Sequence, residues 1–263
     1  MDLIKTIILG IIQGLTEWLP ISSTGHLKIA EHLMNEKIPL LFDFILHIGT
    51  LIVVLLFFRK DIKKMLLALV HLDFKTEHGK LIPLIIVGSI PAGIIGIILD
   101  EPVNAAFQNI LPIAVAFVLC GIMLYSVKFA QEKNDTIGYS TAILVGTIEG
   151  IAIIPGISRS GTTIAVALLL GIKREKAFRF SFLLSIPAIL SVLGYNFFQR
   201  SGELTSAGIG WPEIITGVVV AMFIGYFALK LVWNILAHKK FHVCAFYCWL
   251  LGTVLIVLGL RGF

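Results

Sequence analysis

Pro20-Ile21-Ser22-Ser23-Thr24-Gly25-His26 breaks an otherwise apolar stretch that runs from residue 3 to residue 34. A second polar break, Pro155-Gly156-Ile157-Ser158-Arg159-Ser160-Gly161, interrupts residues 139–172 in the same way. Each stretch has room for two half-length helices joined by a bend. Irregular backbone is tolerated at membrane depth only where protein buries it or where it lines a wet cavity. Both stretches therefore read as re-entrant hairpins, helix in and helix out. Six further runs, at about 40–58, 81–99, 110–128, 178–198, 212–233 and 242–260, are long enough to cross about 30 Å of hydrocarbon.

Composition agrees with a bilayer as the solvent. The chain has 263 residues, 57% of them hydrophobic and only 14% charged, with a mean hydropathy of +0.96. A water-soluble domain carries far more charge on its surface. The runs are continuously apolar and do not alternate with period two, so the expected class is an all-α polytopic membrane protein, not a barrel. The net charge of +5 sits in short clusters between spans, which points away from nucleic acid and toward topology. Cys120, Cys244 and Cys248 all lie in apolar runs and read as packing residues. The N-terminal stretch lacks a small-residue cleavage site and reads as part of the mature protein.

Lysine and arginine set the expected orientation. Residues 59–80, 128–140, 173–179 and 230–240 carry most of them and read as cytoplasmic, whereas Lys5, Lys28, Lys37, Arg200 and Arg261 fall on the other side. Both termini then face outside, the first hairpin enters from outside and the second from the cytoplasm.

The two hairpins match at a constant offset of 136 residues (149 minus 13): Gln13-Gly14 with Glu149-Gly150, and Ile21-Ser22-Ser23-Thr24-Gly25 with Ile157-Ser158-Arg159-Ser160-Gly161. The same offset pairs Phe42-Asp43-Phe44 with Phe178-Arg179-Phe180. Three spans lie between the hairpins, so the second copy is inverted. The expected organisation is one integral membrane domain, 1–263, with repeat one at about 1–128 and repeat two at about 139–263. Inverted repeats with broken helices are common among transporters, so the site must arbitrate between transport and chemistry.

Ionisable residues at membrane depth cost about 2.5–3.5 kcal/mol on insertion scales and are functional candidates by default. Glu17, His26, Glu149 and Arg159 lie in or beside the bends, and Gln13 is one helical turn before Glu17. Ser22, Ser23, Thr24, Ser158, Ser160 and Thr163 add hydroxyls, and each bend opens a half-helix whose N-terminus favours an anion. Such a set suits a phosphate, which Arg159 grips bidentately. A carboxylate beside a phosphate calls for a divalent cation between them, Mg²⁺ or Ca²⁺, with Glu17 as its ligand. A hydroxyl or water beside a carboxylate and a histidine then suggests phosphoryl hydrolysis on a substrate with a lipid tail. The plainer alternatives are a structural Glu17–Arg159 ion pair, a capping role for His26, and hydroxyls as interhelical glue. Asp43 and His47 share a helix face and either bond each other or line the cavity.

The run Gln13-Gly14-Leu15-Thr16-Glu17-Trp18-Leu19-Pro20-Ile21-Ser22-Ser23-Thr24-Gly25-His26 resembles the first signature of the undecaprenyl-diphosphate phosphatase, or bacitracin-resistance, family. Pro155 to Thr163 resembles its second, PGxSRSxxT. The resemblance covers essentially the whole chain. It implies removal of the terminal phosphate from a polyprenyl diphosphate, which yields the monophosphate carrier of cell-wall synthesis. It also implies a divalent cation, a plasma-membrane location and a site open to the outer face. Gln13 and Glu17 fill the family's (E/Q)xxxE pattern, which leaves Glu17 as the only carboxylate of that pair. Ser23 and His26 match the family's serine and histidine, and Ser158, Arg159, Ser160 and Thr163 match the second motif. His47 stands where the family would have Gln.

The expected catalytic set is Glu17, Ser23, His26 and Arg159, with Ser23 or a water as nucleophile and His26 as proton shuttle. Gln13, Ser22, Thr24, Glu149, Ser158, Ser160 and Thr163 are expected to bind substrate. The rival reading is a flippase for the monophosphate lipid built on the same repeat. Oligomeric state is open, a homodimer included.

Overall fold

A computed structural model of the chain describes residues 2–35, 38–206 and 209–261. Lys37, one of the expected outer-side cations, lies outside the described residues, as does the side chain of Arg200. Among the described residues the fold is all-helical: α1 (Leu3–Trp18), α2 (Ser23–Met34), α3 (Leu40–Phe57), α4 (Arg59–Val70), α5 (Glu77–Ala106), α6 (Ile110–Ser126), α7 (Tyr139–Ile151), α8 (Arg159–Leu169), α9 (Arg174–Ser206), α10 (Trp211–Ala237) and α11 (Cys244–Leu260).

Six of them, α3, α5, α6, α9, α10 and α11, are long and apolar enough to span a membrane, and they coincide with the six runs read from the sequence. The protein is a multi-pass membrane protein. Its outer face is correspondingly greasy: Ile90, Ile94, Ile97 and Ile98 of α5 and Phe223 and Phe227 of α10 are exposed, as lipid-facing residues are.

The broken stretches fold as two short helices each. At about 1.5 Å per residue, α2, α7 and α8 are too short to cross the hydrocarbon alone. The basic stretch after α3 differs from the loop reading. Arg59–Val70 forms a helix whose Leu66, Leu67, Leu69 and Val70 are exposed, beside Lys63 and Lys64. Such a mixed surface suits the lipid headgroup layer.

Packing is reciprocal between the two halves. Helix α1 lies on α10 while α7 lies on α5, α3 packs on α9, and α6 packs on α11. The α1–α10 contact is backbone on backbone. A Cβ on Gly14 would fall 2.6 Å from the Ala221 carbonyl oxygen, and one on Gly150 of α7 would fall 3.0 Å from that of Ala92. Small residues allow such close approach between membrane helices. The surfaces that receive α1 and α7 have the same spacing, Gly217-Ala221 on α10 and Gly88-Ala92 on α5.

Candidate active site

Local sequence builds each bend. Proline disfavours helical backbone at the preceding residue; Leu19 before Pro20 is extended, with ψ 142°, and α1 stops at Trp18. Helix α2 then starts from Ser22, whose hydroxyl accepts from Gly25 N at 3.3 Å. Helix α8 starts from Ser158, which accepts from Gly161 N at 3.1 Å. Serine N-caps of this kind satisfy amides that the first turn leaves orphaned.

The bends touch. The Ser22 hydroxyl also accepts from Gly156 N, at 3.0 Å. Ser22 has φ +68°, a backbone region that non-glycine residues enter only under constraint. Gly156 has φ +99°, and a Cβ there would meet the Ile113 carbonyl oxygen at 2.6 Å, so glycine is needed on both counts. Ser160 Oγ donates to the Trp18 carbonyl at 3.1 Å, which fastens the start of α8 to the end of α1. Two cysteines pack beneath: Ser158 N donates to Cys120 Sγ at 3.4 Å, and Cys248 Sγ lies 3.7 Å from the Pro20 carbonyl oxygen.

Glu17 stands where the bends meet. It is 7% exposed and holds partners from four helices. Arg159 Nη2 of α8 donates to Oε1. Ser23 Oγ of α2 donates to Oε2 at 2.6 Å, and Gln13 Nε2 of α1 donates to the same oxygen at 3.1 Å. His47 Nε2 of α3 lies 3.3 Å from it. Arg159 also lies over the Trp18 ring, 5.6 Å from its centre, within cation–π range. Its Nη1 is 3.8 Å from Glu149 Oε1.

These groups face a cavity of about 400 Å³ lined by Glu17, Ser22, Ser23, Thr24, Lys28, His47, Glu149, Ser158 and Arg159. Its far wall is apolar, with Ile97 and Val103 from α5 and Ile189, Val192 and Leu193 from α9. A polar floor with one guanidinium, beneath apolar walls, can hold an anionic headgroup while its hydrocarbon tail runs along the helices.

The remaining expected residues lie behind this lining. Gln13 is fully buried and reaches the site only through Glu17. His26 turns away: Nδ1 pairs with the Ser22 carbonyl at 2.7 Å and Nε2 with the Tyr247 hydroxyl at 2.7 Å, and its ring stacks on Tyr247. Ser160 ties the bends together, as above, and Thr163 bonds the Arg159 carbonyl at 2.8 Å and the Ser181 hydroxyl. Of the two readings for His47, bonding Asp43 or lining the cavity, the structure shows the second. The His47 ring bonds the backbone carbonyl of Asp43 at 2.9 Å, not the carboxylate, and turns its other nitrogen to Glu17. Lys28, read only as a topology charge, lines the cavity and pairs with Glu31 at 2.8 Å. The signal for both was a polar residue on an apolar helix face beside the bends.

Comparison with known proteins adds to this geometry. The family model described as bacitracin resistance protein BacA matches residues 6–254. An undecaprenyl-diphosphatase of Halothermothrix orenii is 40% identical over 267 residues, covering 98% of this chain and 99% of its own length. The undecaprenyl-diphosphatase of Carboxydothermus hydrogenoformans is 38% identical over 270 residues, covering 100% and 99%. That of Desulforapulum autotrophicum is 37% identical over 276 residues, covering 98% and 99%. With a match this complete, the chain belongs to the bacitracin resistance protein BacA family.

Proposed function

We propose that this protein hydrolyses undecaprenyl diphosphate, or a similar polyprenyl diphosphate, to the monophosphate and inorganic phosphate. In this role it returns the lipid carrier to cell-wall synthesis and confers bacitracin resistance. The observation that carries the reading is the Ser23–Glu17–Arg159 contact at the floor of a cavity with apolar walls. Undecaprenyl-diphosphatases of equal length at 35–40% identity support the substrate.

In the proposed mechanism, Arg159 and the first amides of α8 hold the terminal phosphoryl group. Ser23 Oγ attacks phosphorus, and its proton passes to Glu17 Oε2, 2.6 Å away. The bond to the bridging oxygen breaks, which releases the lipid monophosphate. Water then hydrolyses the phosphoserine and restores Ser23. A carboxylate within hydrogen-bond reach of a hydroxyl, and itself fixed by further donors, is the usual arrangement of an activated nucleophile. Gln13 and His47 fix Glu17, while His26 holds the Ser22 carbonyl and with it the bend. Ser160 and Thr163 keep α8 in register with α1 and α9.

A divalent cation would neutralise phosphate charge in such a site. Glu17 is poorly placed to hold it: Arg159, Ser23 and Gln13 already donate to its two oxygens, and the Arg159 guanidinium neutralises its charge.

The cavity is lined by Leu40 and Phe44 at the start of α3, the end with few lysines and arginines, and we assign its mouth to the outer face. The two halves are proposed to be an inverted duplication, a reading supported by the exchanged packing of α1 and α7. The test is phosphate release from polyprenyl diphosphate by the purified protein with Mg²⁺. Wild type turns over, and Ser23→Ala loses at least about a hundredfold in kcat. Unchanged release from Ser23→Ala overturns the assignment.

A further inference from the structure

Gln13 and Glu149 occupy matched positions in the two broken stretches, and the structure treats them oppositely. Gln13 is fully buried and spends its amide on Glu17. Glu149 is 6% exposed and lines the cavity. Neither of its carboxyl oxygens has a hydrogen-bond partner, and Arg159 Nη1 stands off at 3.8 Å. Buried carboxyl oxygens are rarely left unmatched in native proteins, and an orphaned one points to a missing water, ion or ligand. Glu17 is the reverse case, with Arg159, Ser23 and Gln13 donating to its two oxygens.

We propose that Glu149, carried by the second half of the molecule, is the protein ligand for a divalent cation. The inference rests on the reading of the cavity as a diphosphate site. Mg²⁺ and Mn²⁺ bind oxygen ligands, and Mg²⁺ keeps several waters, so one carboxylate plus phosphate oxygens completes its shell. Among the described residues no cluster of three acidic, histidine or cysteine side chains is placed to hold a metal, so phosphate oxygens and water have to supply the rest of the shell. Glu149 reaches the cavity floor from α7, on the opposite side of Arg159 from Glu17. The cation there draws phosphate toward Arg159 and leaves Glu17 to Ser23.

The test is binding of Mn²⁺ in the presence of inorganic phosphate to purified protein in detergent, followed by electron paramagnetic resonance. Wild type, Glu149→Gln, Glu17→Gln and the exchange variant Gln13→Glu/Glu149→Gln are compared, each first checked for a wild-type melting temperature. Glu149→Gln is expected to weaken binding at least about tenfold, Glu17→Gln to change it less than about threefold, and the exchange variant to stay weak, because residue 13 is buried behind Glu17. Loss of Mn²⁺ in Glu17→Gln with Glu149→Gln unchanged overturns the proposal, as does a wild type that binds no Mn²⁺. An exchange variant that binds as tightly as wild type overturns the assignment to Glu149. Phosphate release by wild type is measured on the same sample, so failure of the enzyme reading is seen separately.

Discussion

The bend between α1 and α2 and the bend between α7 and α8 are built alike and equipped differently. Each starts its second helix from a serine N-cap, Ser22 or Ser158. Each is carried on a helix, α1 or α7, whose glycines press against a small-residue surface, Gly217-Ala221 or Gly88-Ala92. The equipment is divided. The first bend brings Glu17 and Ser23, and the second brings Arg159 and Glu149. Similarity between the halves accounts for the scaffold, and the difference between them accounts for the chemistry. At the offset of 136 residues Arg159 matches Ser23 and Glu17 matches Ile153, so a symmetric pair would lack this set.

The largest effect should come from removing the equipment of one side. Arg159→Ala is expected to lower kcat/KM for phosphate release by about 10²–10³-fold. Arg159→Lys should recover little, because an ammonium lacks the planar fork that grips a phosphate. A fully active lysine variant would make Arg159 a generic charge and weaken the division of roles.

An intermediate effect should come from the shared scaffold. Gly14→Leu and Gly150→Leu each force a side chain against a neighbouring backbone carbonyl, at 2.6 and 3.0 Å from the Cβ alone. Each is expected to destabilise the protein by about 1–3 kcal/mol, read as a fall in melting temperature in detergent. Similar losses sharpen the comparison, and a loss confined to one helix breaks it.

The smallest effect should come from the joint itself. Ser22→Ala removes the acceptor shared by Gly25 N and Gly156 N. It should cost about 1–2 kcal/mol of stability, measured by thermal unfolding, while Ser158→Ala, which loses one amide within its own bend, costs less.

Much of this was legible in the sequence, for physical reasons. Span length and continuous hydropathy located all six spans, and Pro20, Pro155 and the surrounding serines and glycines located both bends. Glu17, Ser23 and Arg159 could be singled out because charge and hydroxyl clusters are costly at membrane depth. What stayed hidden depended on contact across the chain. The Gly88-Ala92 surface repeats at an offset of 129 residues (217 minus 88), whereas the bends repeat at 136 (149 minus 13), so a single offset does not reveal it. His47 sits one helical turn after Asp43 in an apolar span, and only the packing of α3 beside α1 turns it toward Glu17. His26 looked like a proton carrier by its place in the motif, yet its two nitrogens face Ser22 and Tyr247, 221 residues further along the chain. The Arg59–Val70 helix was masked by its own lysines, which read as loop.

The central claim is that the two bends supply one catalytic unit, with Glu17 and Arg159 acting together. It is tested most directly by a double-mutant cycle on the rate of phosphate release, using Glu17→Gln, Arg159→Ala and the double variant. Residues that act as a unit show strongly non-additive losses. The account predicts a double variant within about threefold of the slower single one. Losses that multiply would contradict it, because they would mean that the two bends serve separate ends.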